Sequence, residues 1–453
     1  FSPPPPPPPQ PPGGRRAGPP PPPPRPRRAA THAVLDWVGV TLAGVGDPLV
    51  ALLVEDALTE TGAGRCPVIG TSVCLTSGAA ARVNGAASHA LDFDDINKRM
   101  RGHPTVAILP ALFAAGDRQS GSQVIDALIT GTEVAGVLGE MLGAAHYEHG
   151  FHTTATVGTV AAAAAVCRIM AADAEQTARA LSLAATQAAG LRAMFGTMAK
   201  PLHAGLAAER GLQAARWAMA GVTAPGDGLE SAQGFGPVMS AGFDPLPIRP
   251  DRSARFGIEE NVFKRHAACY YTHSAIEAAK RLRADGVNPD QIESGRIDMQ
   301  PGLRTVCDIA APKTGLEVKF SIRHLVAMAL LGRKTSDPAS YTDAVAMDSE
   351  IIRLRDRLAV TASTTANRME TRVQVDLPAG VQRDLTLDVS TPARDLALQE
   401  AELTAKFKTL VTPRFGAERA GEIVTRLLAF DSAAPLASLS SDLTSERWQN
   451  DPG

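Results

Sequence analysis

The 453-residue sequence predicts a mainly α protein, a large all-helical domain with a smaller α+β lid domain inserted into it. Three observations carry that expectation. Apolar residues recur at three- and four-residue spacing from Thr31 to about Ala224, strand-like alternation enters only after about His273, and helical spacing returns from Leu396 to Phe430. With an aromatic share of 4%, the core must be built largely from Ala, Leu and Val. Abundant Ala and Gly let such helices approach closely.

Residues 1–28 are mostly Pro, Gly and Arg. Proline lacks an amide donor and clashes with the preceding turn, so this stretch reads as a disordered polyproline-like tail. Residues 29–268 are expected to form the N-terminal part of the helical domain. Helices are expected there at 34–43, ending at Gly44, and at 77–95, an Ala-rich segment closing in acids. Three more follow: 122–142 after a Gly-Ser turn, 153–170 with small residues along one face, and 173–189 with Asp173 as N-cap. Residues 269–394 are expected to form the lid. Its strands are 296–299, 371–377 and 381–389, the last two joined as a hairpin across Pro378, Ala379 and Gly380. Helices at 401–410 and 417–428, within 395–453, either cap the lid or rejoin the helical domain, to which they are assigned.

Hydrophobic residues make up 44% and charged residues 20%, the balance of a soluble globular chain. A net charge of -2 gives no reason to expect nucleic acid, whose binding rests on clustered Lys and Arg. Cys66, Cys74, Cys167, Cys269 and Cys307 are odd in number and widely spaced, so neither a disulfide framework nor a zinc site is expected, and a reducing cytoplasm fits best. The longest apolar run, 155–166, is too short to cross a bilayer, and prolines stand where a signal peptide needs an apolar segment.

Four segments concentrate chemistry. The first is His89-Ala-Leu-Asp92-Phe-Asp94-Asp95, followed by Lys98, Arg99, Arg101 and His103. On a helix His89, Asp92 and Asp95 share a face, so a carboxylate could orient the imidazole; acids at a helix C-terminus also oppose the macrodipole and call for a partner. A solvated helix end is the bland alternative. The second is Gly150-Phe-His152-Thr-Thr154, where Thr153 or Thr154 could cap a helix whose amides favour an anion beside His152. In the third, Lys200 precedes Pro201 at a helix start, with His203 three residues on; a cation there is costly unless a carboxylate neutralises it. The fourth, residues 263–273, packs Lys264, Arg265, His266, Cys269 and His273 together at the domain transition. Cys269 reads as a possible nucleophile or, more simply, as a small buried thiol. No Walker lysine loop, no strand followed by G-x-G-x-x-G and no metal-binding histidine pair is present, so neither cofactor nor metal is expected.

Taken together, residues 35–44, 84–95, Gly102-His-Pro104 with Leu109-Pro110, Gly150-Phe-His152, Met198-Ala-Lys-Pro-Leu-His-Ala-Gly205 and Lys319-Phe-Ser-Ile-Arg-His324 resemble the MmgE/PrpD family. The resemblance covers about Val34 to Phe430. It implies the helical domain with its inserted lid, a homodimer, no cofactor, and an active site to which Asp92, His103, His152, Lys200 and Lys264 correspond. His203 and Cys269 are placed with the two lysines as substrate-binding residues. The lysines would hold carboxylates of a small polycarboxylic acid, His103 or His152 would move a proton, and Asp92 would orient the imidazole. Loss of hydroxide then gives a dehydratase, loss of carbon dioxide a decarboxylase, and reprotonation on the other face an epimerase.

The expected activity is 2-methylcitrate-like dehydration by a hydro-lyase. The alternatives are an epimerase or racemase of an imino- or amino-dicarboxylate and a non-catalytic organic-acid-binding protein. Four departures from the family pattern bear on this. Ile96 stands where relatives often carry Thr, the loop 97–102 carries three cations, and Cys269 falls where decarboxylase relatives place a histidine, which points away from cis-aconitate decarboxylation. The proline tract also replaces the helix expected before Val34.

Overall fold

Pro24 and Pro26 open helix α1 (Pro24–Gly44) instead of preventing one, because amides of the first turn have no intrahelical acceptor to lose. The computed structural model describes residues 21–116, 118–245, 255–363 and 369–443. The expected tail is therefore corrected at its end: residues 24–28 are helical, the helix thought missing before Val34 is present, and 1–20 lie outside the described residues. Arginines hold this entry in place. Arg27 pairs with both Asp126 and Asp431, and Arg28 lies 3.1 Å from Glu400.

The helices that follow are α2 (Pro48–Glu60), α3 (Ser77–Ala90), α4 (Thr105–Ala115), α5 (Gly121–His149), α6 (Thr153–Ile169), α7 (Ala174–Ala185) and α8 (Ala199–Met219). Local chemistry sets several starts. Ser120 caps α5 and Asp173 caps α7, each in a reciprocal capping box with a Gln three residues on. The broadest packing is α3 on α8, α6 on α8 and α5 on α6. Small residues make it possible: a Cβ built on Gly85 would lie 2.7 Å from the Gly205 Cα.

Helices Leu396–Phe415 and Ala417–Leu428 pack on α1, where Lys406 Nζ sits 2.6 Å from Asp36. One core joins residues 29–267 with 403–443, and a second gathers 268–375. The second is built on a four-stranded sheet in the order Leu358–Ala362, Ser294–Met299, Thr371–Leu377, Val381–Leu387, the first pair parallel and the others antiparallel. Ile297 sits opposite both Val360 and Val373, so alternate residues of the central strand face inward. The expected hairpin turns at Pro378–Gly380, with Ala379 at φ 61°. Among the described residues no single helix is long and apolar enough to cross a membrane. The pair α1 and α2 meets that test only jointly, across an 85° bend.

Candidate active site

Helix α3 ends at Ala90, and Asp92 takes a left-handed conformation with φ 52°. The expectation of one helix through Asp95, with His89, Asp92 and Asp95 on a shared face, is therefore corrected. An Asp accepts this backbone region more readily than most residues. The turn it makes points a carboxylate inward, where it is 4% exposed.

Three buried lysines converge on that turn. Lys200 Nζ lies 2.6 Å from Asp92 Oδ1, and Lys264 contacts the same oxygen while donating to the Asp92 carbonyl at 2.8 Å. Lys319 donates to the Leu91 carbonyl at 2.7 Å. Burial alone would raise the Asp92 pKa, but Lys200 and Lys264 hold it well below the usual carboxylate range. Lys200 starts α8, where a cation opposes the helix dipole; Asp92 is the acidic partner this placement requires. The Lys200 ammonium also lies 5.4 Å and 5.2 Å from the ring centres of Phe195 and Phe320. Burial lowers the Lys200 pKa, whereas for Lys264 burial is outweighed by Asp92 and Asp94 and the pKa rises.

The imidazoles are held by Asp94, not by Asp92. His89 Nδ1 is 2.8 Å from Asp94 Oδ1, and His103 Nδ1 is 2.8 Å from Asp94 Oδ2 and 2.8 Å from the Asp95 carbonyl oxygen. Because a carbonyl only accepts, His103 must carry its proton on Nδ1, which leaves Nε2 with the lone pair. Burial lowers the His103 pKa against the pull of Asp94, so the ring is kept neutral. His89 is lowered to about 4 by burial, with Asp94 opposing.

His152 precedes α6 as its N-cap residue, with no side-chain cap. The expected threonine caps are corrected: Thr153 Oγ1 donates to the Arg101 carbonyl at 2.6 Å and Thr154 Oγ1 accepts from the His103 amide at 3.1 Å. The hydroxyls hold the loop that carries His103. His152 Nδ1 lies 3.0 Å from His203 Nδ1, and its Nε2 is buried with no hydrogen-bond partner. One nitrogen of the Nδ1 pair donates and the other accepts, so His203 sets the tautomer of His152. Burial drives the His152 pKa well down, and nearby Lys200 drives it further.

Asp92, His103, His152, Lys200, Lys264 and Cys269 line one cavity of about 30 Å³. His203 stands behind His152 and does not line it. Asp94 and Lys319 adjoin this cluster although the sequence assigns neither a role, and Asp95, expected on the same helix face as His89, instead offers its carbonyl to His103. The signal for Asp94 was present in the Asp-Phe-Asp-Asp run, and for Lys319 in the motif at 319–324. Asp95 is pushed up to about 8 by burial, opposed by its hydrogen bond from Thr105. A cavity of about 470 Å³ lies on the other side of Lys264. Its charged groups are spent on one another or nearby: Glu277 with His266 and Lys280, Arg265 with Glu402, and Lys406 with Asp36. The smaller cavity is therefore the better site for an anion.

His89, Asp92, Asp94 and His103 also present possible metal ligands within 4.8 Å of one another. Two lysines already neutralise Asp92, and both Nδ1 atoms bear the protons they share with Asp94 and Asp95. An added dication would meet those charges at close range.

Comparison with known proteins finds one family along most of the chain. The MmgE/PrpD N-terminal domain model matches residues 20–247, and the MmgE/PrpD C-terminal domain model matches 266–429. The human cis-aconitate decarboxylase is 34% identical over 213 residues, covering 45% of this chain and 44% of that protein. The mouse cis-aconitate decarboxylase is 27% identical over 333 residues, covering 70% and 68%. A cis-aconitate decarboxylase of Aspergillus terreus is 30% identical over 330 residues, covering 67% of each. The matched stretch thus spans less than half the length of the human relative.

Proposed function

Since this chain belongs to the MmgE/PrpD family, we propose that it is a lyase that acts on a small polycarboxylic acid by moving a proton next to a carboxylate, without a cofactor. The observation that carries this reading is the placement of two lysines on one buried carboxylate, facing two imidazoles in the same cavity. Lys200, Lys264 and Lys319 set three buried ammonium groups against the carboxylates of Asp92 and Asp94, one positive charge in excess, and a substrate carboxylate supplies the missing anion. As the adjacent carbon loses a proton, or a bond to a departing carboxylate breaks, negative charge grows on oxygens that the lysines face. His103 is the base best prepared for this, with its proton fixed on Nδ1 and its Nε2 free. His152 serves on the other side of the transfer, because a tautomer change across the Nδ1 pair with His203 lets its Nε2 accept or donate.

Two finer reactions fit this machinery. Decarboxylation of an unsaturated tricarboxylate of the cis-aconitate kind is supported by the names of the relatives. Dehydration of a 2-methylcitrate-like hydroxy acid is the second, since the same lysines and imidazoles would serve loss of hydroxide from the carbon next to a carboxylate. A homodimer working in the cytoplasm belongs to the same proposal.

Proton NMR of the purified chain in deuterated buffer, with cis-aconitate, 2-methylcitrate, citrate and iminodisuccinate, tests the reading. New alkene resonances with release of carbon dioxide identify the decarboxylase, and new alkene resonances from a hydroxy acid the dehydratase. Exchange of an α-proton without net conversion replaces the lyase with an epimerase. Binding without turnover of any acid in the panel would overturn the enzyme reading.

A further inference from the structure

Three consecutive backbone carbonyls of the acid turn are each met by a lysine, and each lysine comes from a different part of the chain. Lys319 donates to Leu91 at 2.7 Å, Lys264 to Asp92 at 2.8 Å and Lys406 to Phe93 at 2.6 Å. Lys406 does not line the cavity of the proposed site; it lines the one of about 470 Å³ on the other side of Lys264. It projects from the helix Leu396–Phe415, pairs with Asp36 of α1 at 2.6 Å, and lies 4.0 Å from the centre of the Phe93 ring. Phe93 is the single residue between Asp92, which meets two lysines, and Asp94, which meets two imidazoles. We propose that Lys406 is a positioning residue for the reaction: through Phe93 it fixes both carboxylates of the site without touching substrate.

The energetics favour a positional role over a stabilising one. Burying an ammonium and a carboxylate strips both of water, and such a pair rarely stabilises a fold more than apolar side chains of the same volume. The helix Leu396–Phe415 already buries Leu403, Phe407, Leu410 and Val411, and a leucine at 406 would extend that face. A leucine has no proton to give. Without the ammonium, the carbonyl of Phe93, a residue 2% exposed, would lose its donor in the interior, and the turn would rotate to find another. Asp92 already sits at φ 52°, a region that a residue with a Cβ adopts only when its surroundings hold it there, so the turn depends on the donors around it. Rotation at Phe93 carries Asp92 and Asp94 with it, and a displacement of about 1 Å can lower a rate by about 10²-fold. Because Lys406 lines the larger cavity and is 11% exposed, a small cation placed in that cavity reaches the position of its ammonium.

The inference rests on the lyase reading, and the test separates the two with a readout that needs no turnover. The full chain carries isotope-labelled histidine, and NMR follows the ring nitrogens of His89 and His103, which pair with Asp94, in wild type, Lys406→Ala and Thr409→Ala. Thr409 lines the same cavity as Lys406 and serves as the control. In Lys406→Ala the His89 and His103 signals should move, while that of His324, bonded to the Val345 carbonyl at 3.1 Å, stays in place. For an acid that wild type converts, kcat should fall by about 10²-fold with KM little changed. Propylammonium supplies the atoms removed from Lys406 and should restore both signals and rate; propanol, of the same length without the charge, should restore neither. Unmoved His89 and His103 signals in Lys406→Ala overturn the inference. So does a shift of equal size in Thr409→Ala, or equal rescue by propanol, which would show that only volume was missing. If wild type converts no acid, the lyase reading fails and the imidazole signals still decide on Lys406. If Lys406→Ala does not fold, Lys406→Met, which keeps the volume and loses the donor, is judged by the same signals.

Discussion

Lys200 and Lys264 contact the same oxygen of Asp92, Lys200 at 2.6 Å, and they reach it from two different elements. One left-handed residue after α3 thereby gathers charge from the start of α8 and from the segment at the boundary between the two cores. The same turn offers its carbonyls to Lys264 and Lys319. The acid run at 92–95 is thus the partner of distant cations, with Asp92 serving the lysines and Asp94 the imidazoles.

Asp92→Asn should leave two buried ammonium groups with one neutral amide between them. Removing one partner of a buried ion pair costs about 3–5 kcal/mol, because the remaining charge stays desolvated. Urea denaturation of the variant should show a loss of that size, together with loss of turnover. A loss below about 1 kcal/mol would mean that water solvates the lysines and that Asp92 does not hold them.

The two histidines are expected to act on rate. His103→Gln and His152→Gln should each lower kcat by roughly 10²–10⁴-fold, the usual range for a lost acid or base, with KM little changed. Asp94→Asn keeps the shape but removes the carboxylate that both His89 and His103 face. Its kcat should fall less than in either histidine variant, and the pH profile of kcat/KM should shift, which a purely structural role would not produce. A profile identical to wild type would remove Asp94 from the positioning role.

Stability should depend on pH with two opposing slopes. Burial depresses His89, His203 and His324 to about 4 in the folded state. A depressed histidine contributes stability that is present above about pH 6.5 and lost as pH falls toward the folded value, about 3 kcal/mol at most for His89. Asp95 acts the other way: its folded pKa is raised to about 8, so stability is lost as pH rises from about 4 through that value. Urea midpoints at pH 5, 6.5 and 8 should therefore drop on the acid side in wild type. Asp95→Asn, which stays neutral, should stabilise more at pH 8 than at pH 5; an equal effect at both would show that Asp95 is ionised throughout.

What could be read from the sequence was whatever rests on neighbours in the chain. Asp173 as a cap, the hairpin across Pro378 to Gly380 and the helical spacing of 417–428 all depend on contacts within a few residues, and all are present. The helix start at Pro24 was misread because proline in a first turn costs nothing that the composition reveals. The end of α3 was placed too late because the conformation of Asp92 is stabilised by Lys200 and Lys264, which lie far away in sequence. For the same reason the carboxylate assigned to the imidazole was Asp92 when Asp94 faces it. Six family-like segments named residues most of which the structure gathers around one cavity, but which atom touches which was decided by packing.

The approach of α3 to α8 determines where Lys200 and His203 stand, so a substitution at that contact should be felt in the site. A Cβ on Gly205 would fall 2.1 Å from the Arg82 carbonyl oxygen, and that oxygen is backbone, so a helix must move to make room. Gly205→Ala should therefore destabilise by about 1–3 kcal/mol, as overpacking does, even though Ala is the better helix former. Gly421, in the helix Ala417–Leu428, has nothing within 4 Å of the added carbon, and Gly421→Ala should stabilise by about 0.5–1 kcal/mol. The two variants share one chemical change and differ in surroundings alone, so thermal melts of both isolate the packing effect. Turnover should fall in Gly205→Ala, whose helix carries Lys200, and stay at the parent level in Gly421→Ala. Equal melting shifts in the two proteins would show that α3 and α8 are not in contact at Gly205.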